Sequence, residues 1–148
     1  MTTSDGFRQF CDLLAGSWTG RRRGAGREGE IVRSQWRKIL DGNVLRESWL
    51  TAGGGDAPEP TAEALFTISA SGPGDFVAVY KSGKIAFGES TFAGGEWRLI
   101  HRWLREPGVA SIRLKFIDTD TYEQEVCEVM NDGTLKPESS TVMKRERP

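Results

Sequence analysis

The sequence predicts an all-β fold, a single antiparallel up-and-down β-barrel of about ten strands with a short N-terminal helix. Three observations predict it. Beyond residue 16 the chain alternates apolar and polar residues with period two. Clusters of Gly, Asp and Asn interrupt that alternation at short intervals, as hairpin turns do. Five tryptophans and 18 glycines in 148 residues suit a turn-rich, aromatic-filled β protein better than a helical bundle.

The helix comes first, over residues 5–15. Ser4 or Asp5 can cap it, Phe7, Phe10, Leu13 and Leu14 recur at helical spacing, and Gly16 can end it. Strands are then expected at 17–23, 30–40 and 44–50, the last two joined by Asp41-Gly42-Asn43. Residues 51–60, TAGGGDAPEP, form a flexible loop, expected at the barrel mouth, because three consecutive glycines raise the entropy that ordering must overcome. A strand at 63–70 leads into the turn Ser71-Gly72-Pro73-Gly74. Strands at 75–81 and 85–92 form a hairpin around Ser82-Gly83-Lys84. Further strands at 96–104, 109–117, 121–130 and 139–145 follow, separated by short turns.

One short helix cannot cover the apolar face of so much sheet, so the sheet closes on itself. Closure also removes the edges that invite aggregation. Residues 1–148 therefore form one domain, without internal repeats.

Composition excludes several function classes. The net charge is -1 and the pI about 5.9, so no basic field points to nucleic acid. One histidine and two cysteines, Cys11 and Cys127, are too few for a His/Cys metal site. The first residues carry Asp5, Arg8 and Asp12 and no apolar signal segment, and no apolar run approaches the ~20 residues of a membrane span. The expectation is a cytoplasmic protein with reduced cysteines, monomeric or homodimeric, without a membrane partner.

Candidate site residues come from strand faces. In 96–104, Trp97, Leu99, His101 and Trp103 share one face. If the indoles face inward, His101 lies in the lumen, either as a ligand contact or as a core histidine satisfied by a neighbour. Other alternating sets are Leu45, Glu47 and Trp49; Ile85, Phe87 and Glu89; and Phe76, Ala78 and Tyr80. A luminal Glu47 or Glu89 needs a partner, which Arg33 and Arg37 can supply; the alternative for each carboxylate is a solvated outer face. Arg21-Arg22-Arg23 with Arg27 can hold an anion or simply solubilise a strand end. The glycines around them do not form a dinucleotide fingerprint, and no nucleophile motif is present.

The segment Leu14-Ala15-Gly16-Ser17-Trp18-Thr19-Gly20, after a short helix, resembles the opening of the calycins, the lipocalin-like barrels. It looks most like the short bacterial lipocalin-like barrels of unassigned function, with nitrobindins as distant relatives. Asp118 to Tyr122 and the ending Val142-Met143-Lys144-Arg145 resemble that group too. The resemblance implies that Gly16 and Trp18 are structural, with Trp18 closing one barrel end and Arg145 lying over its indole. Physics supports the pairing, since the first and last strands of a closing meander are neighbours. The resemblance also implies a small apolar or amphipathic ligand. Nitrobindins hold haem on a late histidine, and this chain has none after His101.

Three functions follow. The first is non-enzymatic binding of a small, mostly apolar ligand, with no cofactor, by Trp97, Leu99, His101, Trp103, Trp49, Glu47, Phe87, Glu89, Tyr80 and Phe76. The second is an isomerase, cyclase or hydratase using His101 with Glu47 or Glu89. The third is haem binding through His101.

Overall fold

The computed structural model describes residues 3–24, 26–52 and 59–147, without the side chains of residues 3 and 4. Helix α1 (Thr3–Leu14) precedes ten strands: β1 (Gly16–Gly24), β2 (Ile31–Ile39), β3 (Val44–Ala52), β4 (Glu59–Ser69), β5 (Gly72–Tyr80), β6 (Ile85–Ala93), β7 (Glu96–Trp103), β8 (Val109–Asp118), β9 (Thr121–Val129) and β10 (Leu135–Arg145). Every strand pairs antiparallel with its chain neighbours, and β1 pairs with β10 to close the barrel. No helix among the described residues is long and apolar enough to cross a membrane.

Several strands run past their expected ends. The loop expected over 51–60 loses both flanks to the sheet, because Thr51 pairs with Glu59 and Leu50 with Pro60. The remaining part of that expectation, 53–58, lies outside the described residues. Likewise β5 begins at Gly72 and β10 at Leu135. In each case a proline lies within the added stretch of strand. Pro60 and Pro137 sit where the register shifts, at Trp49/Leu50 and Pro137/Ser139, and Pro73 lies just beyond the shift at Phe66/Ile68. At such irregularities a missing N–H costs the ladder little.

The apolar stripe of α1, Phe7, Phe10, Cys11 and Leu14, is buried and plugs one end of the barrel. The helix starts at Thr3, so Asp5 lies within its first turn. Phe7 packs on Trp97 with ring centroids 5.3 Å apart, and Phe10 on Phe116 at 5.0 Å. Trp18, fully buried, meets Tyr122 edge-on at 4.8 Å. Its Nε1–H donates to the Leu14 carbonyl at 2.8 Å, satisfying a helix-end acceptor. Arg145 pairs with Trp18 in the β1–β10 ladder and lays its guanidinium 4.2 Å from the indole centroid. The same guanidinium donates to Leu13 O (2.6 Å), Ala15 O (3.2 Å) and Thr119 O (3.0 Å). Gly16 has φ +132°, and a Cβ there would press on Arg145 at 3.2 Å.

Candidate functional site

Cross-strand register sorts the inward side chains into levels. Nearest the plug, Leu45, Phe66 and Phe76 are consecutive partners. The next level runs Trp36, Glu47, Ala64, Ala78, Ala86 and Trp103 around β2 to β7. Above it come Ser34, Trp49, Ala62 and Tyr80. Three alanines on adjacent strands leave the wall thin at the middle level. The result is a cavity of about 700 Å³ between the aromatic floor and a mouth formed by Arg27, Ser82, Lys84 and Gly108.

Seven of the ten candidate binding residues come together there: Leu99, His101, Trp103, Trp49, Glu47, Tyr80 and Phe76 all line the cavity. Trp97 points inward but is fully buried in the plug against Phe7, Phe10, Trp36 and Phe66, below the cavity. Phe87 and Glu89 are on the outer wall, which corrects the expectation that they face the lumen. Phe87 is 41% exposed, and Glu89 binds Arg102 through two hydrogen bonds of 2.7 and 3.0 Å. The inward positions of β6 are Ala86 and Gly88 instead. A Cβ on Gly88 would lie 1.7 Å from the Ile100 carbonyl oxygen, so only glycine lets β7 approach there. Arg33 and Arg37 do not serve Glu47 either. Arg33 binds Glu146 with two 2.7 Å hydrogen bonds, and Arg37 is exposed.

Two hydrogen-bonded polar pairs lie on opposite walls. The Tyr80 hydroxyl and His101 Nε2 lie 2.9 Å apart, with the imidazole edge-on to Trp103 at 4.8 Å. Burial pushes the Tyr80 phenol up to about 12 and holds His101 below its ordinary value, so the imidazole is neutral at pH 7. Haem ligation through His101 Nε2 would require that this hydrogen bond be given up. Across the lumen Ser34 donates to Glu47 Oε2 at 2.6 Å. On the same side the buried Tyr122 hydroxyl accepts from Trp36 Nε1 at 3.2 Å. Burial raises the Glu47 carboxyl to about 7; the Ser34 bond opposes that rise only in part.

Sequence reasoning missed Trp36 and Ser34, and it took Arg22 as part of an anion-holding or solubilising cluster without placing it in the lumen. Each had a period-two signal: Arg22 follows Trp18 and Gly20 on one face of β1, and Val32, Ser34 and Trp36 share the buried face of β2. Arg22 lies beside Glu30 at 3.3 Å and over Trp49 at 5.8 Å. Burial lowers its pKa, the Glu30 carboxylate opposing. Among the described residues no three His, Cys, Asp or Glu side chains converge as a metal site.

No family model matches the sequence, and no curated protein matches it. Solved structures do match. Rv2717c from M. tuberculosis superposes with a TM-score of 0.61 at 19% identity, over 94% of this chain and 96% of that one. The S-type phycobiliprotein lyase CPES from Guillardia theta gives 0.62 at 14% identity, over 100% and 99%. At these identities the shared property is the fold, a closed antiparallel β-barrel that spans nearly the whole of each chain.

Proposed function

We propose that this protein is a non-enzymatic binding barrel for a small, mostly apolar molecule held in the lumen. The observation that carries the reading is the cavity of about 700 Å³ walled by Trp36, Trp49, Phe66, Phe76 and Trp103, with polar groups such as Glu47, Tyr80 and His101 set among them. An enclosed aromatic wall with polar groups that can orient a ligand is what small-molecule sites have in common. The kinship with the short bacterial barrels and nitrobindins belongs to this reading and rests on Leu14 to Gly20. So do a cytoplasmic location and a single domain over 1–148.

Native mass spectrometry of the protein as purified tests the reading. A retained mass, released by denaturation and lost when Ala78→Leu fills the lumen, supports it. No retained mass and no uptake of the neutral dye Nile red sinks it.

A second reading, acid–base chemistry, has one observation in its favour: His101 and Glu47 line the same cavity. The lyase that shares the fold is named as an enzyme. Turnover of a bound molecule that stops in His101→Gln would favour this second reading.

A further inference from the structure

Resting on the binding-barrel reading, we propose that the cavity takes an organic cation, whose ammonium group pairs with the Glu47 carboxylate while its carbon frame fills the aromatic space. Three observations lead there.

Glu47 has no cationic partner among the described residues. Its one hydrogen bond comes from the neutral hydroxyl of Ser34, on Oε2, which leaves Oε1 to the cavity. No Lys or Arg among the described residues lies within ion-pairing distance of it. A half-buried carboxylate without a counter-charge is costly, and a ligand cation supplies the missing charge.

The cations that do reach the cavity are matched elsewhere. Arg22 pairs with Glu30 at 3.3 Å and Lys84 with Glu106 at 3.0 Å. The remaining titratable lining groups are Arg27 after β1, Tyr80 of β5, His101 of β7, Glu128 of β9 and Glu138 of β10. Tyr122 of β9 feels the Glu47 charge, and Glu63 adds negative charge from the outer face of β4. With the two pairs set aside, Glu47 and the exposed Glu128 and Glu138 outnumber the one remaining cation among the described lining residues, Arg27, so the lining favours a positive ligand.

The walls beside Glu47 suit a cation as well. Trp36 is its direct partner across the β2–β3 ladder and lines the cavity, whereas Trp49, the next inward residue on its own strand, already holds a cation, the Arg22 guanidinium at 5.8 Å. Indole faces attract ammonium groups that a purely aliphatic wall repels.

Calorimetric titration of the full chain with three indoles tests the inference: tryptamine (cation), tryptophol (neutral, same size) and indole-3-acetate (anion), each at pH 5.5 and 8.5. Tryptamine, like lysine, stays charged below pH ~10, whereas Glu47 changes charge between the two conditions. At pH 8.5 tryptamine should bind about tenfold or more tightly than tryptophol, the worth of a hydrogen bond to a charged group. That advantage should close at pH 5.5, where Glu47 carries its proton. In Glu47→Gln it should vanish at both pH values, with tryptophol binding unchanged. Equal binding of tryptamine and tryptophol at pH 8.5 overturns the inference, and so does an advantage that survives in Glu47→Gln. Preference for indole-3-acetate overturns it in favour of an anionic head group on Arg22. Should Glu47→Gln not fold, the wild-type comparison at the two pH values decides. Nile red separates the two levels: uptake of the dye without a tryptamine preference sinks the cation alone, whereas failure to take up any probe sinks the binding barrel with it.

Discussion

Glu47 carries the clearest pH dependence of any single residue. Burial is the leading cause that raises its carboxyl to about 7 in the folded chain, against 4.5 for a free glutamate side chain. A raised carboxyl favours the folded state while it is protonated. Its contribution is fully present below about pH 4.5 and is lost as pH rises through 7. Glu47→Gln should therefore stabilise the protein by about 2–3 kcal/mol at pH 8 and change nothing below pH ~4.5, measured by urea unfolding across pH. His101 behaves in the opposite sense. Burial lowers its pKa, so the neutral ring supports folding above pH ~6.5 and that support is lost as pH falls through the depressed value. As the chain has one histidine, its imidazole resonances in a proton–carbon NMR titration are unambiguous. Their midpoint should lie below 6.5. A midpoint above that value would contradict the buried site.

Among the elements, the seam of α1, β1 and β10 is the most heavily tied. Trp18 fills the closed end and caps the helix, and Arg145 holds the C-terminal carbonyls of α1 together with the turn between β8 and β9. Trp18→Ala should cost about 3–5 kcal/mol, as a large-to-small core change does. Arg145→Lys should cost about 1–2 kcal/mol, because one ammonium cannot replace a planar fork that serves three carbonyls and Asp120. Chemical denaturation of both variants ranks them. Equal loss from the two would mean that the guanidinium, not the indole volume, holds the seam.

For the barrel as a whole, the alanine level decides whether there is a lumen to fill. Ala64, Ala78 and Ala86 are buried on three adjacent strands, between Glu47 on one flank and Trp103 on the other. A larger side chain at Ala78 enters empty space, so the usual overpacking cost of about 1–3 kcal/mol should be largely absent. Ala78→Leu should abolish Nile red fluorescence in the presence of the protein while shifting the thermal midpoint by only a few degrees. Retained dye binding would place the apolar site somewhere other than the lumen.

Local pattern determined the closed meander. Period-two alternation, the turn clusters and the absence of covering helices left a sheet no way to bury its apolar face except closure, and β1 to β10 pair in that order. The same alternation put Trp49, Tyr80, His101 and Trp103 on inward faces. It failed on β6, where the larger apolar residues Ile85 and Phe87 face out, cross-strand from Val79 and Val77, and the small Ala86 and Gly88 face in. Hydrophobic size identifies the inside only where the inside is full. Around a cavity the inward residues are the small ones, and their smallness becomes legible only when register aligns them at one level. Tertiary structure alone also separated Trp97, sealed by α1, from Trp103 three turns of alternation further along β7, and it left Glu47 without a counter-charge. Pairing of charges depends on distances between strands that the linear sequence does not contain, which is why Arg33 and Arg37, plausible partners by alternation, ended on the other side of the wall.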